Sequence, residues 1–186
     1  MITITALWLP ILLSAVLVFI ISSIIHTILP FHKKDYEKLP HEADIMKDLE
    51  KYQLQPGDYF LPKPDSSAEM KSEEYKAKMD KGPVAFMTVY PNGQFNMGSS
   101  LIQWFIYCII ISVFAAYVAS RALGPEAYYL DVFRFVGAVS FMGYSAAIAQ
   151  NSIWSKRKWS TSIRFIIDGF IYALFTAGTF GWLWPN

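Results

Sequence analysis

Residues 161–184 read TSIRFIIDGFIYALFTAGTFGWLW and decide the fold of this 186-residue chain. The segment is long enough to cross a bilayer as one helix, which takes about 20 residues. Four small residues recur at four-residue spacing, so they share one helix face that another helix can approach closely. Asp168 lies inside the same segment, where an unpaired charge at bilayer depth costs roughly 2.5–3.5 kcal/mol. The segment predicts a packed membrane bundle with a buried polar point, and its small residues are Gly169, Ala173, Ala177 and Gly181.

The overall composition agrees with a membrane protein. Hydrophobic residues make up 54% of the chain and charged residues only 17%, whereas soluble domains carry about 25% charged residues. The net charge of +1 gives no electrostatic support for binding nucleic acid. Cys108 is the single cysteine, which excludes an intramolecular disulfide and a cysteine-based zinc site, and we expect an inert buried thiol.

Apolar runs predict four transmembrane helices, at residues 6–29, 100–123, 130–153 and 161–184. We therefore expect an all-α integral membrane protein of four transmembrane helices, with a small α+β cytoplasmic insertion at residues 30–99 between helices 1 and 2. Further small residues at four-residue spacing predict helix packing in the second and third spans. They are Cys108, Ser112, Ala116 and Ser120 in the second span, and Gly143 and Ala147 in the third.

The insertion at residues 30–99 holds most of the charged side chains. Helical periodicity predicts a short helix within residues 41–54, and Ser66 or Ser67 is placed to cap a second one. Residues 84–90 have the composition of a strand, and the Pro-Asn-Gly turn that follows favours a small hairpin. This segment has too few apolar residues for a large core of its own, so we expect it to rest on the membrane surface or on a partner.

The distribution of basic residues predicts the orientation. With four spans, the insertion and the turn at residues 154–160 lie on the same side of the membrane, and both are rich in lysine and arginine near the span ends. The opposite side has only Arg121 and Arg134 near its turn. The positive-inside rule then places residues 30–99 in the cytoplasm and both termini in the periplasm or outside the cell.

Several polar side chains are predicted to lie in the cytoplasmic third of the bundle. Ionisable groups within a membrane are functional candidates by default, because their burial is costly. Asp168 with His26 could relay a proton or share an ion. In a purely structural interpretation, Asp168 pairs with Arg164 four residues earlier on its own helix. Both interpretations stay open for this candidate site of His26, Gln103, Gln150, Asn151, Arg164 and Asp168.

No cofactor, metal site or catalytic motif is predicted. Acidic residues and histidines between His32 and Asp44 match no ligand spacing, so a solvated, mixed-charge surface is the simpler interpretation. One histidine inside a span offers haem a single axial ligand. The sequence also has no nucleophile elbow, phosphate-binding glycine loop, HExxH helix or pair of catalytic carboxylates, and we expect a protein that is not an enzyme.

Four stretches carry a resemblance to a known group of proteins. They are LPFHKKDYEKLPHEADIMKDL, QLQPGDYFLP, GPVAFMTVYPNG and QNSIWSKRKWSTSIRFIIDGFIYALFTAGTFGWLWP, and together they cover most of the chain. With these the chain resembles a family of small bacterial four-span inner-membrane proteins of unknown function. The resemblance implies the same four-span layout in a bacterial plasma membrane. It brings no activity, cofactor or catalytic residue.

Two functions follow as expectations. The first is a non-catalytic structural or accessory subunit of a membrane assembly or homo-oligomer, which uses the small-residue stripes to pack against a membrane-protein partner or another copy of itself within the lipid bilayer. The alternative is a small solute or proton-linked transporter that uses the polar residues of the cytoplasmic third. A conduit within one protomer is not favoured, because the middle of each span is apolar or small.

Overall fold

The computed structural model describes residues 2–94 and 96–185 of the chain. It is mostly helical and contains a small two-stranded sheet. The described residues divide into two compact units, one formed by residues 2–36 with 96–185 and the other by residues 37–94. The first unit carries four helical segments that are long and apolar enough to cross a membrane: Ile4–Thr27, Met97–Ala122, Tyr129–Trp154 and Trp159–Trp182. The predicted four-helix architecture is therefore confirmed.

The helices of the first unit are α1 (Trp8–Thr27), α5 (Met97–Ala122), α6 (Tyr129–Phe141), α7 (Ile148–Trp154) and α8 (Trp159–Trp182). Helix α1 packs against α5 and α8, and α6 packs against the same two helices. This closes a four-membered bundle around two apolar clusters. Large apolar side chains also point outward, including Ile106, Phe114 and Phe170, which are 50%, 60% and 52% exposed. An apolar outer surface of this kind fits contact with lipid better than contact with water.

The third predicted span is interrupted in its middle. Residues Met142–Ala146 form a π-helical turn between α6 and α7, a feature that often marks functional sites in helices. Gly143 lies in this turn, and a Cβ atom added there would come within 2.5 Å of Ile111 Cδ1. The carbonyl oxygen of Gly143 accepts a hydrogen bond of 2.7 Å from the Tyr107 hydroxyl.

The small-residue stripe of α8 lies inside the bundle. Gly169, Ala173 and Ala177 are buried, and a Cβ atom added to Gly169 would collide with Ser145 Oγ. A Cβ atom added to Gly181 would lie 2.6 Å from Cε2 of Tyr129 on α6. Glycine at 169 thus permits the close approach of the π-helical turn, whose backbone would lie 3.2 Å from such an atom, whereas the contact at Gly181 is with a tyrosine ring that can move aside.

The stripe of α5 is buried in the same way. Cys108, Ser112, Ala116 and Ser120 are each 0% exposed, and Ser112 Oγ lies 3.0 Å from Ser14 Oγ of α1. Ala147, by contrast, is exposed, and its role in helix packing stays a prediction.

The second unit contains helices α2 (Glu42–Glu50), α3 (Ser67–Met70) and α4 (Glu73–Lys81), together with strands β1 (Gly57–Leu61) and β2 (Ala85–Val89). The strands are antiparallel and pair Gly57 with Val89 and Leu61 with Ala85. Strand β2 thus pairs with an earlier segment and not across the Pro-Asn-Gly turn that follows it. The ring centroids of Phe60 and Phe86, which face each other across the strands, are 4.6 Å apart, and such aromatic pairs stabilise a two-stranded sheet.

Candidate functional site

A cluster of charged and imidazole side chains lies at the end of the bundle where α1 finishes. Pro30 stops the helix because it has no N–H to donate, and Pro30–His32 forms a short 3-10 turn. This turn brings His32 next to His26 of α1, with ring centroids 4.3 Å apart and planes inclined by 28°. Helix α8 supplies the remaining members, Arg164 and Asp168. The polar cluster is defined here as His26, His32, Asp35, Arg164 and Asp168.

Asp168 is the centre of the polar cluster. Its side chain is only 2% exposed, and its Oδ2 atom lies 2.9 Å from Nε2 of His32 and 3.7 Å from Nε2 of His26. In the part of the chain that the structure describes, neither carboxylate oxygen of Asp168 nor His32 Nε2 has a hydrogen-bond partner of acceptable geometry. These three buried polar atoms, two from Asp168 and one from His32, are therefore left without a hydrogen bond.

Asp35 binds the Nδ1 atom of His32, on the other side of the ring from Nε2, which lies near Asp168. One carboxylate oxygen of Asp35 lies 2.5 Å from His32 Nδ1, and the other accepts a hydrogen bond of 2.7 Å from Arg164 Nε. Burial favours the neutral carboxyl, but the hydrogen bonds from His32 and Arg164 outweigh it and lower the pKa of Asp35 below its ordinary value. An ionised carboxylate only accepts hydrogen bonds. Nδ1 of His32 is therefore the donor, and in the neutral ring the lone pair of Nε2 faces Asp168.

The charges of the polar cluster do not balance when both imidazoles are neutral. Arg164 compensates Asp35, to which it is bonded directly. Asp168 then remains as a buried carboxylate without a cation of its own, which costs several kcal/mol. The cluster is therefore suited to receive one further positive charge.

Aromatic groups surround the polar cluster on several sides. The ring of Phe165 lies 4.9 Å from that of His32, and the Arg157 guanidinium lies 4.8 Å from the centroid of the same Phe165 ring. Tyr172 Oη is 3.5 Å from His26 Nε2. His26 is the accessible member, since its side chain is 39% exposed. His26 thus forms the outer edge of the polar cluster, and Asp168 forms its buried centre.

Of the residues predicted for this site, the structure brings three together: His26, Arg164 and Asp168. Gln103 donates a hydrogen bond of 3.0 Å to Ser99 Oγ on its own helix. Gln150 and Asn151 are exposed, and the backbone carbonyl of Asn151 accepts bonds within the turn that follows. Among the residues that the structure describes, no hydrogen bond or ion pair joins these three side chains to the polar cluster, and their functional role stays a prediction.

The structure also changes the pairing that the sequence favoured. The spacing of Arg164 and Asp168 predicted an ion pair along one helix, but Arg164 bonds to Asp35 instead. Sequence analysis placed His32 and Asp35 on a solvated surface, whereas their side chains are 12% and 2% exposed. The feature of the sequence that could have predicted this contact is the three-residue spacing of His32 and Asp35 directly after Pro30. That spacing allows a turn to bring the two side chains together.

Comparison with known proteins finds no matching family model, no similar curated protein and no similar solved structure.

Proposed function

We propose that the protein is a multi-pass protein of the bacterial inner membrane that binds a small cationic solute at the polar cluster and carries it. The observation that supports this most is the buried Asp168 carboxylate, which faces two imidazoles while the nearby guanidinium of Arg164 is already paired with Asp35. A buried site with one uncompensated negative charge favours a cation.

The membrane location is supported by two features. The four long helices have apolar outer faces, and lysine and arginine are concentrated on one side of the spans. In the proposed orientation, residues 30–99 and the polar cluster face the cytoplasm, and both termini lie on the opposite side. The resemblance to bacterial four-span inner-membrane proteins agrees with this assignment, and belonging to that family remains part of the proposal.

Buried hydroxyl groups inside the bundle are compatible with both a carrier and a structural protein. Ser22 lies four residues before His26 on α1, and its Oγ accepts a hydrogen bond of 2.8 Å from Trp104 Nε1. Farther along, Ser14 and Ser112 meet at 3.0 Å. Hydroxyl groups at helix contacts serve packing as readily as a solute path, so the proposal rests on the polar cluster.

Uptake into proteoliposomes tests the carrier. The full-length protein is reconstituted, and uptake of a panel of monovalent and divalent cations is measured. Wild-type protein is expected to give saturable uptake of at least one cation, and Asp168→Asn is expected to abolish it. Asp131→Asn is the matched control, because the Asp131 side chain is 45% exposed and lies 3.5 Å from the exposed Arg134. Uptake that is the same in Asp168→Asn and wild type would refute the proposal.

A second candidate is a non-catalytic structural or accessory subunit, and residues 37–94 supply the observation that favours it. Met46, Tyr52 and Phe86 are 65%, 72% and 57% exposed. An open groove of about 1020 Å³ lies between α2 and the strands and is lined in part by Met46, Leu49 and Met87. Exposed apolar surface of this kind is typical of contact with another protein or with lipid.

The buried stripes change how such a subunit would assemble. The small-residue stripes of α5 and α8 are buried in helix contacts within the protomer. An assembly therefore has to use other surfaces, such as this groove. Native mass spectrometry of the protein extracted gently from its own membrane, without overexpression, tests the idea. Defined larger subunits that co-purify would support the accessory role, and a lone protomer would count against it.

A further inference from the structure

We propose that His26, His32 and Asp168 bind one divalent first-row transition-metal ion. The inference rests on the proposed function, since it names the chemical class of the cation that the polar cluster takes. It goes beyond the sequence analysis, which predicted no metal site. Four features of the structure carry it: the spacing of the donor atoms, the unsatisfied state of those of Asp168 and His32, the support behind His32 and the composition of the donor set.

The three side chains have the spacing of metal ligands. One donor atom from each lies within 4.8 Å of the other two. The distances from Asp168 Oδ2 to the two Nε2 atoms are 2.9 Å for His32 and 3.7 Å for His26. Tetrahedral ligands about 2.0–2.1 Å from zinc lie roughly 3.3 Å apart, so the observed distances fall on either side of that value. The three atoms are therefore spaced as the ligands of a single ion would be.

The donor atoms of Asp168 and His32 are buried and, in the described part of the chain, have no hydrogen-bond partner, whereas His26 Nε2 is more accessible and lies 3.5 Å from Tyr172 Oη. Both oxygens of Asp168 and Nε2 of His32 lack a hydrogen-bond partner among the described residues. His32 Nε2 and Asp168 Oδ2 approach to 2.9 Å, but not in the alignment of a hydrogen bond. Two lone pairs that converge in this way repel each other unless a proton or a metal ion lies between them. A bound ion would satisfy these atoms and compensate the buried charge of Asp168.

Asp35 and Arg164 supply the outer support that metal-binding histidines require. A ligating histidine commonly donates its second ring N–H to a carboxylate, which fixes the ring and makes the ligand nitrogen more basic. Asp35 takes this role, at 2.5 Å from His32 Nδ1. Arg164 in turn fixes Asp35 through a hydrogen bond of 2.7 Å. Hydrogen bonds thus run from Arg164 through Asp35 to His32. They differ from surface ion pairs because the side chain of Asp35, which joins them, is only 2% exposed.

The donor set selects the class of ion. Two imidazole nitrogens and one carboxylate oxygen suit zinc, iron, nickel or copper, whereas magnesium and calcium prefer oxygen ligands. With neutral imidazoles the cluster carries one net negative charge, and a divalent ion reverses it to one positive charge. Of the nearby cations, Arg164 is compensated by its hydrogen bond to Asp35. The exposed side of His26 leaves room for water or a solute as a fourth ligand.

Metal binding by the full-length protein in detergent tests the inference. The protein is stripped with a chelator and titrated with Co²⁺, whose absorption reports coordination, and with Zn²⁺ by calorimetry. Wild type is expected to bind one ion per protomer. We expect His26→Asn, His32→Asn and Asp168→Asn to weaken binding by more than about 100-fold, and Asp35→Asn by about 10–100-fold. His41→Asn is the matched control and should bind as wild type, because asparagine tolerates the left-handed backbone at His41 (φ 52°).

A second variant covers the case in which an asparagine substitution prevents folding. His32→Cys keeps a metal ligand, so it is expected to bind Co²⁺ and to add a thiolate-to-cobalt absorption band that wild type lacks. Folded wild-type protein that binds no ion, or variants that bind as tightly as wild type, would overturn the inference. Binding without uptake would leave the metal site standing and remove the carrier. Uptake that depends on Asp168, together with no metal binding, would leave the carrier standing and overturn the metal site.

Discussion

Arg164 and Asp35 are 129 positions apart in the chain, and Arg164 Nε donates a hydrogen bond of 2.7 Å to Asp35 Oδ1. The contact fastens the turn after α1 to the side of α8. It adds to the stacking of His32 on His26 and to the contact of His32 with Phe165, which hold the same ring. The polar cluster therefore depends on this contact as much as on its own donor atoms.

The first prediction concerns this pair. Arg164→Gln is expected to lower the free energy of unfolding by about 1.5–3 kcal/mol, because it leaves the buried carboxylate of Asp35 without its charged donor. The double variant with Asp35→Asn is expected to lose less than the sum of the two single variants, since both remove the same interaction. Unfolding in mixed detergent measures all four proteins. Strictly additive losses would show that the two side chains are not coupled.

The second prediction concerns the stripe of α8. Gly169→Ala is expected to destabilise the protein by about 1–3 kcal/mol, because the new methyl group collides with Ser145 and overpacks the core. Gly178→Ala is the matched control on the same helix. Its Cβ atom would lie 3.7 Å from Tyr129 Oη, an ordinary contact, so stability should be unchanged or slightly raised. Equal effects of the two substitutions would argue against the close approach of Gly169 to the π-helical turn.

The third prediction concerns the orientation in the membrane. Cys108 is 0% exposed, so the wild-type protein should not react with a membrane-impermeant maleimide and gives a clean background. We expect Tyr128→Cys to be labelled in intact spheroplasts, and Ser67→Cys and Ser155→Cys to be labelled only after lysis. All three positions are exposed. The reversed pattern would mean that the basic segments face outward, against the positive-inside rule.

The fourth prediction concerns removal of the metal. An ion that binds only the folded protein stabilises it, by about 2.7 kcal/mol at a free concentration one hundred times its Kd. Addition of Zn²⁺ to stripped wild-type protein should therefore raise the midpoint of thermal unfolding, and a chelator should reverse the change. His32→Asn should show no such response, while His41→Asn should respond as wild type. A shift of equal size in His32→Asn would place the zinc effect elsewhere on the chain.

The candidate site was predicted only in part, for a physical reason. Asp168 and His26 could be recognised because a charge or an imidazole inside an apolar run is costly, and that cost is visible in the sequence. His32 and Asp35 stand beside Lys33 and Lys34 in a strongly charged segment, where exposure to water is the ordinary expectation. Their burial arises because the turn at Pro30–His32 folds back along the bundle, and composition does not encode that direction.

The sequence by itself determined the four long apolar helices, their approximate ends and the small-residue faces along which they pack. These features follow from hydrophobicity and from a period of 3.6 residues, which are properties of each segment alone. Only the tertiary structure decided that both stripes close inside the bundle, that a π-helical turn interrupts the third span, and that Arg164 bonds to Asp35 and leaves Asp168 to two imidazoles. Those outcomes depend on which segments meet, and contacts between distant side chains are set by the packing of the whole bundle.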